Sequence, residues 1–229
     1  MIADQLKRIQ EHIVSICSRV GRDPSGITLV GVTKFADVPA VNDALQAGLL
    51  DIAENKVQLA KEKFSKIDFG GRPVKRHMIG HLQTNKVKDA LTLFDLIQSV
   101  DSVRLADEIE KRAAMMGKET DILLQLDIAQ EDQKFGFPLV ELDAVMGHLA
   151  SLKHVRTLGL MAMAPLTEDM AAIRAVFRQG KGIFERLGAE WPGHDRIQMK
   201  HLSMGMSHDY GIAIEEGANM VRIGSAIFK

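Results

Sequence analysis

Lys34 ends an apolar run, Ile27-Thr28-Leu29-Val30-Gly31-Val32-Thr33, whose β-branched composition and length read as a buried strand. A lysine at that position points toward a strand end, where an ammonium is costly unless it is paired or neutralised. Desolvation would free the amine to attack a carbonyl and form a Schiff base. The alternative is a lysine that snorkels to the rim and pairs with Glu54. Position alone leaves both open. Near the other end of the chain, Ser203-Met204-Gly205-Met206-Ser207 and Ile223-Gly224-Ser225-Ala226 each combine a glycine with hydroxyls. Loops of that kind let backbone N–H groups converge on a phosphate. An aldehyde that carries a phosphate would satisfy the amine and both loops together.

These groups must be brought together by the elements that carry them. Short apolar runs alternate with longer amphipathic segments along the chain. After a helical stretch over 2–20 closed by Gly21, strand-type runs fall at 27–33, 49–53, 76–80, 96–100, 121–128, 155–161, 198–204 and 219–224. Helical patterns follow at 38–47, 56–66, 85–93, 102–116, 139–149, 168–187 and 209–216. Eight strand steps joined in this way predict an α/β fold, a single (β/α)8 TIM barrel with an extra N-terminal helix across its bottom or side. A doubly wound open sheet is the weaker reading, because no G-x-G-x-x-G follows the first strand. The barrel places chemistry at the C-terminal strand ends, and phosphate sites commonly follow strands seven and eight. Lys34 and the two small-residue segments fall at those places.

Composition limits the alternatives. The 229 residues carry 29 Lys and Arg against 30 Asp and Glu, a net charge of −1, without the basic excess of a nucleic-acid binder. No apolar run approaches the roughly 18 residues that span a membrane, and charges interrupt the N-terminal segment too often for a signal-peptide core. The expectation is a soluble cytoplasmic protein, a monomer or weak dimer, without nucleic-acid or membrane partners. Cys17 is the only cysteine and is expected to be buried on its helix. The eight histidines show no ligand spacing, so no metal is expected. The 12 methionines, including Met115-Met116 and Met161/Met163, read mostly as core filler. Lys56, Lys61, Lys63 and Lys66 with Glu62 read as a solvated helix face.

LVGVTK ending at Lys34, AENKVQ around Asn55, HMIGHLQTNK from His77, QKFGF around Lys134, GLMAM from Gly159 and the stretch from Leu202 to Phe228 form a recognisable series. Together they resemble, nearly end to end, the pyridoxal phosphate homeostasis proteins (the YggS/PROSC family). The resemblance implies the barrel of the alanine racemase N-terminal domain, here as one PLP-binding domain over 1–229. It implies a covalent internal aldimine between Lys34 and pyridoxal 5′-phosphate (PLP), with Asn55 against the cofactor. Ser207, Gly224 and Ser225 would hold the phosphate, Met206 would line the site and Ser203 would lie nearby. Arg222 would face the ring nitrogen or the phosphate; the sequence leaves both open. His81 and Lys134 match the motifs without an assigned contact. Ala53 replaces the family's usual glycine and Lys56 a common aromatic, which leaves that loop's geometry open.

PLP catalysis needs an attachment lysine, an electron sink at the ring nitrogen and a proton-transfer group. An arginine at the nitrogen would keep it unprotonated and weaken the sink. The resemblance also implies that racemases of this fold draw a tyrosine from a second, β-rich domain across a dimer. This chain has no room for that domain, and Tyr210, its one tyrosine, reads as a packing or surface residue. The expected function is therefore vitamin B6 homeostasis without known catalytic turnover: PLP held on Lys34 and supplied to apo-enzymes. A small amino-acid racemase is the alternative, and a cofactor-free aldolase-like barrel a distant third.

Overall fold

The computed structural model describes residues 1–129 and 135–229. The first helix, α1 (Ile2–Val20), buries Leu6, Ile9, Ile13, Ile16 and Cys17 at helical spacing and ends at Gly21. That glycine takes φ 68°, a left-handed cap that a side chain would disfavour. Then follow β1 (Thr28–Val32), α2 (Val38–Gln46), β2 (Asp51–Glu54), α3 (Val57–Phe64), β3 (Lys75–Met78) and α4 (Val87–Leu93). The middle of the chain forms β4 (Leu96–Val100), α5 (Val103–Met115), β5 (Thr120–Leu126) and α6 (Leu142–Ala150). The last part forms β6 (Val155–Ala162), α7 (Met170–Glu190), β7 (Ile197–Ser203), α8 (Tyr210–Glu215), β8 (Met220–Ile223) and α9 (Ser225–Phe228).

Strands β1 to β8 pair in parallel in sequence order, and β8 returns to β1, so the sheet closes into a barrel. The α/β barrel expected from the alternation is the observed fold. Side chains alternate across each strand. Val30, Val32, Ala53, Leu96, Leu123, Leu158, Met161 and Met220 fill the interior. A larger apolar layer lies between strands and helices. Gly159 (φ 144°) lets β6 and β7 meet, because a Cβ there would stand 1.9 Å from the carbonyl oxygen of His201.

Helix α1 lies along the barrel side, against α2, α8 and α9. Asp169 caps α7 through the N–H groups of Ala171 and Ala172, so that helix starts two residues later than the pattern suggests and runs three residues further. Helix α9 is too short to leave a periodic signature and was not foreseen. Met115 and Met116 are exposed rather than core, since they lie at the fraying end of α5. Among the described residues no helix is long and apolar enough to cross a membrane, and no group of three His, Cys, Asp or Glu is placed to hold a metal ion.

Candidate functional site

A cavity of about 480 Å³ opens at the C-terminal end of the barrel. The strand register explains who reaches it. Val30 pairs with Arg222 and Val32 with Ala53, and Val30, Val32 and Ala53 face inward. Two residues further along, the same parity brings Lys34 and Asn55 to the rim. Gly224 lies beside Val32, where an added Cβ would come within 3.1 Å of the Val32 carbonyl oxygen. Lys34, Asn55, Met206, Ser207, Arg222, Gly224 and Ser225 all line this one cavity. Ser203 does not.

Ser203 is fully buried, and Arg222 reaches back to it. The Nη1 of Arg222 donates to the carbonyl and to Oγ of Ser203, both at 2.7 Å, and Nη2 donates to the Ala162 carbonyl at 3.0 Å. None of these partners is a carboxylate. Burial pushes the guanidinium down to about 10, with the charge of Asp209 acting the other way. The group therefore remains a cationic donor at neutral pH. Behind it, Ser203 Oγ donates to Gln98 Oε1 (2.7 Å), Gln98 Nε2 lies 2.9 Å from His77 Nδ1, and His77 Nε2 lies 2.9 Å from Asp51 Oδ1. The barrel interior thus carries a polar chain that ends on Arg222, each link fixing the orientation of the next.

At the rim, Ser207 Oγ accepts from the N–H groups of Gly224 (3.3 Å) and Ala226 (3.4 Å), so the loops after β7 and β8 meet there. Asp209 holds the β7 loop by accepting from the Met206 N–H at 2.5 Å. Lys34, Arg222 and Lys229 line the cavity, and among the described residues none that lines it is acidic, a field that favours an anion.

One open alternative closes, and two expectations need correction. Glu54 does not pair with Lys34; its Oε1 lies 2.6 Å from Lys63 Nζ. Lys63 is correspondingly drawn out of the solvated face assigned to α3. Lys34 is exposed rather than sealed in the mouth, with Nζ 5.1 Å from the centre of the Phe35 ring. The sequence reading also missed Phe35, His208, Phe228 and Lys229 as lining residues. Lys229 Nζ lies 5.7 Å from the same Phe35 ring. Phe228 and Lys229 arrive through the unforeseen α9, and the usable signals were the adjacency of Phe35 to Lys34 and of His208 to Ser207. Tyr210 is half-buried against α1, with its hydroxyl 2.6 Å from His12 Nδ1, and is not a lining residue. His81 lies outside this cavity and pairs with Asp101 (2.7 Å). Lys134 lies outside the described residues.

A family model described as alanine racemase, N-terminal domain, matches residues 5–229. A pyridoxal phosphate homeostasis protein of Aquifex aeolicus is 35% identical, covering 98% of this chain and 96% of its own. The chain belongs to the pyridoxal phosphate homeostasis protein family. The Escherichia coli K12 member is 33% identical over 99% of this chain and 95% of its own. PipY of Synechococcus elongatus, solved with PLP bound, matches this family member with a TM-score of 0.86 at 30% identity over the whole of both chains. An alanine racemase of Clostridium difficile matches 98% of the chain with a TM-score of 0.70 at 17% identity, and the chain covers 55% of it. That likeness is one of fold.

Proposed function

We propose that this protein holds PLP in the barrel-mouth cavity as a Schiff base on Lys34 and supplies it to apo-enzymes in the cytoplasm, serving intracellular PLP homeostasis. One observation carries the reading: an accessible primary amine, a buried arginine and two converging hydroxyl–glycine loops share one cavity, with no acidic residue lining it among the described residues. The volume of about 480 Å³ lies within the range of small-molecule and cofactor sites. The naming of the family members and the PLP bound to PipY support the same ligand.

Within that reading, Ser207 and the backbone of Gly224 and Ser225 hold the phosphate at the rim. Arg222 pairs with Val30, one inward-facing layer below Gly224 and its neighbour Val32. This depth supports a place for it at the ring nitrogen rather than at the phosphate. A protonated guanidinium donates there and supplies no proton, so the ring stays a weak electron sink. Asn55 and Met206 border the ring, and Ser203 contributes by holding Arg222. PLP supplies an aldehyde carbon that an amine can take up and release. The one tyrosine is engaged with α1, so it leaves the racemase alternative without a proton-transfer tyrosine. A single binding domain over 1–229, acting as a monomer or weak dimer, suffices for this role.

Purified protein mixed with PLP should develop visible absorbance, and borohydride should fix the label on Lys34. Lys34→Ala should abolish both. A protein that takes up no PLP overturns the proposal, and sustained deuterium exchange at Cα of an added amino acid would favour the racemase.

A further inference from the structure

The run of lysines on α3 contains one that does not face water. The Lys63 side chain is 13% exposed and the Glu54 side chain 0%, with Nζ and Oε1 2.6 Å apart. Around them, every polar group of Thr33 is engaged. Its N–H donates to the Ala53 carbonyl at 2.9 Å, and its hydroxyl donates to Glu54 Oε1 at 2.7 Å. Its carbonyl accepts from Lys63 Nζ at 2.6 Å and from the Ala36 N–H at 2.9 Å. Thr33 immediately precedes Lys34, and Glu54 immediately precedes Asn55. One ion pair therefore ties together the strand ends that bring both residues to the cavity.

We propose that Lys63 and Glu54 are positioning residues for the site, a buried pair that locks the Thr33 peptide and so fixes the direction in which Lys34 leaves β1. The proposal rests on the reading that Lys34 carries the ligand and deepens it. Burying two charges at best breaks even with apolar packing of the same volume. An apolar pair could fill the space, but it could not hold the Thr33 carbonyl and hydroxyl. Glu54 Oε2 is buried without a hydrogen-bond partner among the described residues, so the carboxylate acts through Oε1 alone, the oxygen that meets both Thr33 and Lys63. The exposed Lys34 side chain has little packing to orient it, which leaves its backbone to set its aim.

The test compares wild type with Lys63→Met, Lys63→Arg and Thr33→Val, using Glu110→Gln as a destabilised control far from the site. In Lys63→Met, PLP release should be faster by about tenfold, the scale that loss of positioning produces. The pH midpoint of the visible band should move in that variant and not in Glu110→Gln. Lys63→Arg, which keeps charge and donors, should recover part of both. Hydrogen exchange over residues 33–36, measured without PLP, should accelerate in Lys63→Met. Unchanged release, band and exchange in a folded Lys63→Met overturn the proposal. If that variant does not fold, Thr33→Val decides: faster release and exchange support the pair's role, and unchanged values overturn it. If wild type takes up no PLP, the functional reading falls, and the exchange measurement alone decides whether the pair fixes the Lys34 segment.

Discussion

Arg222 holds Ser203 twice through one nitrogen, with Nη1 2.7 Å from both the carbonyl and the hydroxyl of that serine. The hydroxyl also donates to Gln98 Oε1, so it couples the guanidinium to the polar chain inside the barrel. Ser203→Ala removes an acceptor from Arg222 and the Gln98 donor in one change. It should cost about 1–2 kcal/mol in stability, read by urea unfolding. A comparable loss in holding Arg222 should raise the Kd for PLP by roughly fivefold to thirtyfold. An unaltered Kd would show that Ser203 supports only the fold.

Gly80 lies under Asn55. A Cβ added there would stand 2.2 Å from the Asn55 carbonyl oxygen and 2.9 Å from its carbonyl carbon, both backbone atoms that cannot swing aside. Gly80→Ala should therefore destabilise by roughly 1–3 kcal/mol, as overpacking does, and displace Asn55 from the cavity. Weaker PLP binding that accompanies the stability loss is the expected result. A variant with wild-type stability would show that the two loops yield more easily than this geometry allows.

Glu110, on α5, receives the N–H groups of Lys153 (3.1 Å) and His154 (2.8 Å) just before β6, and its Oε1 lies 2.9 Å from His154 Nδ1. Burial tends to raise its pKa. The hydrogen bonds from His154 and Lys153 outweigh that and hold the carboxyl below its ordinary range. A depressed carboxylate contributes stability above its unfolded value of about 4.3 and loses it as pH falls through the folded value. Glu110→Gln should thus cost about 1 kcal/mol at pH 7, and its gap from wild type should close in acid. Urea unfolding at neutral and acidic pH checks this; a gap that stays constant would rule out the charge as its source.

Much of this protein was legible in one dimension. The alternation of apolar runs with amphipathic segments is a local pattern, and eight repeats of it leave few ways to bury all the apolar faces other than a closed barrel. Strand parity is local as well, so Lys34 after Val32 and Asn55 after Ala53 could be placed at a strand end from the sequence. Glycines beside hydroxyls marked the last two loops for the same reason. These features depend on residues within a few positions of one another.

The tertiary structure decided what depends on distant partners. A lysine in a charged helix reads as solvated until the strand beside it presents a carboxylate, and so the sequence places Lys63 in water and leaves the partner of Glu54 open. Ser203 shares its segment with Ser207, yet β7 ends at Ser203, which turns inward to Gln98 and Arg222, while Ser207 lies beyond the strand end at the rim. Phe228 and Lys229 reach the cavity through a turn of helix too short to have a period. Charge and hydroxyl groups act over a few ångströms in space, and only closure of the barrel determines which of them come within that range.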